Sequence, residues 1–344
     1  MISGCGNPHL NNVVKYPGMS ELYPLKFEPI LKDKVWGGHA LEKHFNKKPG
    51  GLPNIGESWE LSAVAGNISV VSNGFLAGNN IEELIDVYMG DITGDAVYEK
   101  FGSKFPLLFK FIEAGEDLSI QVHPGDRMAK VKHNDFGKTE MWYILESEKD
   151  AKIYTGFREG VTKEMYLQGI ADGALPELLF IEKAEPGDSF FTPAGRIHAI
   201  GRGIVLVEIQ QTSDLTYRIS DWNRKSDGAV KRELHLDLAL EAMDFSAAGK
   251  IKIKKEPSLN ITENLASCEY FTTNLLHFNN RIKKSYNHLD SFVVYICTEG
   301  IFDIEWDSGK ESISKGDTLL IPSMLSEVTL IPSGEAKLLE VYIE

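Results

Sequence analysis

The sequence predicts a mainly β protein made of two related β-barrels with helical insertions, and three observations carry that prediction. Short runs rich in β-branched and aromatic residues alternate with Gly, Pro and Asn clusters along most of the 344 residues. The frame set by Gly187, Pro193 and His198 recurs at Gly316, Pro322 and Glu327, as two copies of one strand-turn-strand unit would leave it. Segments with helical spacing are few and interrupt the β-rich chain.

Taken in order, residues 1–18 are polar and rich in Gly, Asn and Pro, and are expected to form a flexible extension. From Met19 to about Phe75 the chain reads as short strands, punctuated by Trp36-Gly37-Gly38, Lys48-Pro49-Gly50-Gly51 and Pro53-Asn54. Ile81, Leu84, Ile85 and Tyr88 then fall on one helical face, with Asn80 as N-cap, Glu83 three residues on and Gly90 past the end. Strand composition returns at 104–112 and 118–122, and again at 141–145, 151–154 and 189–192. Residues 162–170 read as a helix capped by Thr162. The apolar run Ile204-Val205-Leu206-Val207-Glu208-Ile209-Gln210 reads as a buried strand with a carboxylate inside it. Residues 231–243 are long enough to prefer helix. After a lysine-rich ribbon and Pro257 the chain is strand-like to its end, which places a first domain at 19–248 and a second at 249–344.

Charge and cysteine usage narrow the class of function. A formal net charge of -14 disfavours nucleic acid and acidic membranes as partners, while leaving room for a local basic pocket that takes a small anion. Cys5, Cys268 and Cys297 show neither metal-binding spacing nor an even disulfide set, which suits a reducing cytoplasm. No apolar stretch approaches the roughly 20 residues that cross a bilayer.

The chemistry concentrates in two stretches. In Leu118-Ser119-Ile120-Gln121-Val122-His123-Pro124, Gln121 and His123 leave the same face of a strand that Pro124 and Gly125 end at once. A second imidazole, His198, arrives from the tight return after Gly187. With Glu140, these residues make an N/O donor set suited to one metal in the first barrel; the second barrel carries Glu327 where the first has His198. Lys138 alternates with Glu140 and is a candidate acid/base or substrate-oxygen ligand. The remaining histidines, including His133, His235, His277 and His288, read as ordinary core or surface residues.

Gly187, Pro193, Gly195 and His198 stand in the second signature of the cupin family, Gly-x5-Pro-x-Gly-x2-His, and the chain resembles that family of double-sheet, jelly-roll barrels. The resemblance narrows further. Phe105-Pro106-Leu107-Leu108-Phe109-Lys110, the Gln121 and His123 run, Lys138-Thr139-Glu140-Met141-Trp142, Pro193 to His198, and Gln210 through Arg218 occur in the order of the type I phosphomannose isomerases, closest to their short bacterial form.

The resemblance implies a metal-dependent aldose-ketose isomerase that interconverts mannose 6-phosphate and fructose 6-phosphate through an enediol or enediolate. It makes Gln121, His123, Glu140 and His198 the ligands of one zinc ion per chain. It gives Arg218 the role of catalytic arginine, with a guanidinium that stays charged and holds developing negative charge. Glu208 and Asp214 match family carboxylates, and either can serve as the base. Burial in an apolar strand would raise the pKa of Glu208, and the same carboxylate could instead pair with Arg218. Lys110, Ser119 and Arg224 match substrate or phosphate positions, and Trp36, Trp59 and Trp142 are aromatic candidates for the pocket wall. Two alternatives are a non-catalytic sugar-phosphate-binding or regulatory cupin, and an isomerase of a related hexose phosphate. Lys138, Glu208, Asp214 and Arg218 together argue against the first.

Overall fold

A computed structural model describes residues 22–222, 224, 231–246, 251–255 and 257–344. The expected extension at 1–18 and the domain boundary at 248/249 lie outside these residues.

Among the described residues the first unit pairs a seven-stranded sheet with a five-stranded one. The larger sheet runs in the order Ile30–Gly38, Ile55–Leu61, Leu107–Ala114, Ile204–Gln211, Glu140–Ser147, Asp188–Thr192, Lys252–Lys254. The smaller runs Tyr217–Ser220, Ile120–Val122, His198–Ile200, Lys152–Phe157, Leu179–Lys183. Ile112, Trp142, Ile144, Phe190, Ile204 and Leu206 from the first sheet pack with Ile153 and Ile200 from the second. The second unit repeats the design with five strands against four, around Tyr295, Phe302, Ile304, Leu330 and Leu338. The expected mainly β, double-sheet architecture is the one observed. Lys252–Lys254 still pairs with the first unit's Asp188–Thr192, and Ile261–Ser267 is the next strand, paired within the second unit.

The two large sheets lie back to back, which explains why the central strands are apolar on both faces. Phe109, Phe111, Met141, Tyr143, Val205, Val207 and Ile209 share one buried cluster with Leu275, Val294, Ile296, Leu339 and Val341 of the second unit. Alternation along each strand then turns Lys110, Glu140, Trp142 and Glu208 toward the interior of the first unit. Every residue of Leu107–Ala114 and Ile204–Gln211 is buried, as expected for strands covered on both sides. The carboxylate inside the apolar run is therefore a side chain aimed at the barrel interior.

Two helices sit where their signals predict and a third is shortened, while Ala40–Phe45, in a stretch expected as short strands, and Asp95–Phe101 and Asp126–His133 are helices the sequence reading did not anticipate. Ile81–Tyr88 is a helix whose Asn80 accepts from Glu83 N while Glu83 accepts from Asn80 N, a complete capping box. Thr162 caps Lys163–Asp172. The helix expected over 231–243 is confined to Leu236–Ala242. The residues before it are drawn against the strand Tyr217–Ser220: His235 N donates to Arg218 O at 2.8 Å, and Arg218 N donates to His235 Nδ1 at 3.1 Å. That pairing, one backbone bond and one to the His235 ring, accompanies the late start of the helix and leaves Arg232 in the irregular segment before it.

Candidate active site

Strand register brings together residues far apart in sequence. His198 lies opposite Gln121, Gln121 lies opposite Arg218, and Gln210 lies opposite Glu140. Gly195, at φ +85°, makes the return that delivers His198; its N–H donates to His123 O at 2.8 Å and so ties the two imidazole-bearing segments. On the other side, Gly137 N donates to Asp126 Oδ1 at 2.8 Å, fixing the approach to Lys138 and Glu140.

Ligand atoms of His123, Glu140 and His198 all lie within 4.8 Å of one another, and all three residues are buried. His123 Nε2 is 3.5 Å from Glu140 Oε2, and His198 Nε2 is 3.3 Å from Glu140 Oε1. Each imidazole has its other nitrogen against a backbone carbonyl, His123 Nδ1 at 2.8 Å from Leu215 O and His198 Nδ1 at 2.9 Å from Arg196 O. This orientation makes Nδ1 the donor and leaves the Nε2 lone pairs pointing at a common centre. His123 Nε2 and both Glu140 oxygens are buried without a hydrogen-bond partner. Buried polar atoms are rarely left so, and three aimed at one point fit a cation.

Electrostatics agree with that reading. Burial, then the neighbouring Glu208 carboxylate, push the Glu140 carboxyl up to about 8. Burial lowers His198 to about 4, and burial with Lys138 and His198 nearby takes His123 well below its ordinary value, so both rings are neutral donors. The Gln121 amide reaches the same centre: its Nε2 is 3.3 Å from His198 Nε2, and its Oε1 accepts from Ser119 Oγ at 3.1 Å. Rotating the amide by half a turn exchanges its oxygen and nitrogen, presenting oxygen to the centre.

A cleft of about 250 Å³ opens beside this cluster, lined by Lys34, Trp36, Glu57, Lys110, Ser119, Gln121, Lys138, Glu208, Asp214, Arg218 and Arg232 among others. Lys138 Nζ is 3.4 Å from Glu140 Oε2. Arg218 donates through Nη1 to Glu233 O at 3.0 Å, and its Nε is buried without a partner. The pairing of Arg218 with Glu208 left open by the sequence does not form. Instead Glu208 Oε1 accepts from Lys110 Nζ at 3.0 Å and Oε2 from Trp142 Nε1 at 2.9 Å. The expected upward shift of Glu208 is also reversed. Burial does press it upward, but the Lys110 and Lys138 ammonium groups and these two hydrogen bonds overcome it and hold the carboxyl at about 2. Asp214, by contrast, is exposed at the cleft.

Most sequence-expected residues thus converge on the cluster or the cleft, with Arg224 as the exception. It lines a neighbouring pocket of about 330 Å³, where it donates to Asp117 O and lies 3.5 Å from Asp221 Oδ1. Of the tryptophans, Trp36 lines the cleft, whereas Trp142 supports Glu208 and Trp59 lies under Lys110, 5.0 Å from Nζ to ring centre. Sequence reasoning missed Lys34, Glu57 and Arg232. Glu57 is held ionised by Lys110, Lys34 and the Trp59 indole against the opposing effect of burial. Its only signal was its place in a strand, and Glu60, which pairs instead with Lys47 at 2.8 Å, carried the same signal.

The second unit repeats the register without the donors. Thr192 opposite Glu140 becomes Ile321 opposite Val293, and His198 opposite Gln121 becomes Glu327 opposite Ser285. Among the described residues, His123, Glu140 and His198 form the one metal-competent cluster of this kind.

Comparison with known proteins gives the same picture. The family described as phosphomannose isomerase type I, catalytic domain, matches residues 24–157. Mannose-6-phosphate isomerase ManA of Bacillus subtilis is 35% identical over 313 residues, covering 89% of this chain and 95% of that protein. The mannose-6-phosphate isomerase of Streptococcus mutans is 32% identical over 308 residues, covering 88% and 93%. A crystal structure of the mannose 6-phosphate isomerase from Bacillus subtilis superposes with a TM-score of 0.84 at 30% identity, covering 93% of this chain and 99% of that one. With matching motifs, matching fold and relatives aligned over nearly their whole length, the chain belongs to the type I phosphomannose isomerase family.

Proposed function

We propose that this chain interconverts mannose 6-phosphate and fructose 6-phosphate, using zinc held by His123, Glu140 and His198 with Gln121 as an amide-oxygen ligand. The observation that carries the reading is the set of three unpartnered buried donor atoms at the edge of a cleft lined by cations. Two imidazoles and one carboxylate are a donor set that zinc accepts while keeping a position for substrate. When bound, the ion supplies Lewis-acid polarisation of the sugar oxygens and needs no redox change.

The chain's own groups divide the remaining work. The isomerisation moves a proton between C2 and C1, so it needs a base and a way to hold charge on the adjacent oxygens. Glu208 is a poor proton carrier, since both of its oxygens are occupied and its carboxyl is held at about 2. We assign it the role of fixed anion that positions Lys110. Asp214, exposed on the cleft, is the proton acceptor in this reading. Arg218, half-buried and facing Gln121 across the sheet, stabilises the enediolate oxygens through its unpartnered Nε edge. Lys138 donates to the substrate oxygen nearest Glu140. The phosphoryl group is met by cations of the cleft, in keeping with a chain whose overall charge is negative but whose cleft is not.

The test is a coupled assay of mannose 6-phosphate conversion to fructose 6-phosphate on chelated protein, before and after zinc is restored. Turnover that returns with zinc supports the reading. Protein with zinc bound and no turnover refutes it.

A further inference from the structure

We propose that Arg232, aimed by Asp221, is the residue by which the cleft selects a phosphorylated sugar over the free sugar. This rests on the isomerase reading and assigns the part of the substrate which that reading leaves to the cleft cations collectively.

The lysines of the cleft each face a carboxylate of their own: Lys34 lies 3.0 Å from Glu57, Lys110 3.0 Å from Glu208 and Lys138 3.4 Å from Glu140. Their charge is answered locally. The wall that carries Arg218 and Arg232 differs. Its acidic partner, Asp221, serves Arg232 and lies 3.5 Å from Arg224, which also has Glu116 at 3.8 Å, whereas Arg218 bonds a backbone carbonyl and among the described residues forms no ion pair. Asp221 Oδ2 accepts from Arg232 Nε at 2.9 Å and Oδ1 accepts from Nη2, a two-pronged grip that fixes the guanidinium plane. Among the described residues, no partner takes Nη1. A fork held on one edge and open on the other is the geometry that suits a phosphate oxygen.

Position supports the same role. Arg218 lies opposite Gln121 and so marks the metal end, where C1 and C2 must react. Asp221 follows three residues later, roughly 10 Å along an extended chain. A phosphate on C6 sits at the far end of the sugar from C1 and C2, so its anchor belongs a sugar's length from the metal. Arg232 lines both the catalytic cleft and the adjoining pocket, and so stands at the partition between them, whereas Arg224 lines only the latter.

The experiment uses zinc-loaded full-length protein carrying Arg232→Ala, Arg232→Gln, Arg232→Lys, Asp221→Asn or Arg224→Ala. Steady-state kinetics with mannose 6-phosphate and with mannose are paired with calorimetric titration of inorganic phosphate. Losing a charged hydrogen bond to phosphate is expected to raise KM for mannose 6-phosphate roughly ten- to hundredfold, with kcat little changed. Phosphate affinity should fall in parallel, as should the preference for mannose 6-phosphate over mannose. Arg232→Lys should restore part of each, and Asp221→Asn should raise KM less than Arg232→Ala. Unchanged KM and phosphate affinity in folded Arg232→Ala overturns the proposal, as does a loss that follows Arg224→Ala instead; if the alanine variant does not fold, Arg232→Gln decides on the same criteria. A wild-type protein that binds phosphate through Arg232 yet converts no mannose 6-phosphate would keep this assignment and remove the isomerase reading.

Discussion

Replacing Lys110 with methionine isolates the central electrostatic decision in the site. Lys110 is buried, its ammonium is 3.0 Å from Glu208 Oε1, and burial alone would press Glu208 toward its neutral form. Holding the carboxyl at about 2 rather than in the ordinary carboxylate range corresponds to about 3 kcal/mol of stabilisation at neutral pH. Breaking a buried pair from one side costs about 3–5 kcal/mol, which sets the expected deficit of Lys110→Met, since the downward shift of Glu208 is shared with Lys138 and the Trp142 hydrogen bond. The sign with pH follows from the direction of the shift. In the wild type the Glu208 contribution is fully present above the unfolded carboxylate range and fades as pH falls toward 2. In Lys110→Met, burial wins and raises Glu208, so the variant loses stability as pH rises through neutrality. Urea denaturation of chelated protein at pH 5 and pH 8 reads this directly: the deficit should be larger at pH 8. Lys110→Met with Glu208→Leu should recover much of the loss, because no buried charge is left unpaired. A single variant as stable as wild type at pH 8, or a double variant no better than the single, would refute the reasoning.

Three further outcomes separate the roles of the site residues. His198→Ala should lose bound metal and turnover together, since it removes a neutral imidazole whose Nε2 lies 3.3 Å from Glu140, and metal analysis beside the coupled assay checks both. Arg218→Ala should keep its metal and lose turnover by roughly a hundredfold or more, and full activity would remove Arg218 from the mechanism. Gly137→Ala should lower kcat while leaving the ligands intact: its Cβ would lie 2.5 Å from Asp126 N and 2.8 Å from Gly125 C, so the segment entering Lys138 must move. Unchanged kcat with normal metal content would show that this segment tolerates displacement.

Much of the site was legible because strand chemistry is local. Pro124 ends the strand that presents Gln121 and His123, Gly195 shapes the return to His198, and alternation puts Lys138 with Glu140. What could not be read depends on pairing between distant strands. Glu57 and Glu60 look alike in sequence, and it is the pairing of Ile55–Leu61 with Leu107–Ala114, with Trp59 opposite Lys110, that brings Glu57 to the cleft. Arg232 was hidden for another reason: a helical pattern over 231–243 gives it a place on a helix, whereas the helix starts only at Leu236, after His235 is bonded through its backbone and its ring to Arg218.

The internal repeat carries one step further, to the identity of the base. In the second unit Glu340 stands opposite Asn274 and Tyr295, as Glu208 stands opposite Lys110 and Trp142 in the first. Glu340 is buried and accepts from Tyr286 Oη at 2.6 Å and Asn274 Nδ2 at 3.0 Å, with Lys284 Nζ at 2.8 Å. The counterparts of Gln121, Glu140 and His198 are Ser285, Val293 and Glu327, so this buried carboxylate persists where the metal donor set does not. A saturated acid at this place in the fold therefore has a sufficient explanation in bridging neighbouring strands. By the same argument we read Glu208 as a fixed charge. A proton carrier must instead exchange its proton and have a free oxygen, which favours the exposed Asp214: Asp214→Asn should abolish turnover while leaving metal content and folding unchanged, and a variant with wild-type kcat would return the role to Glu208.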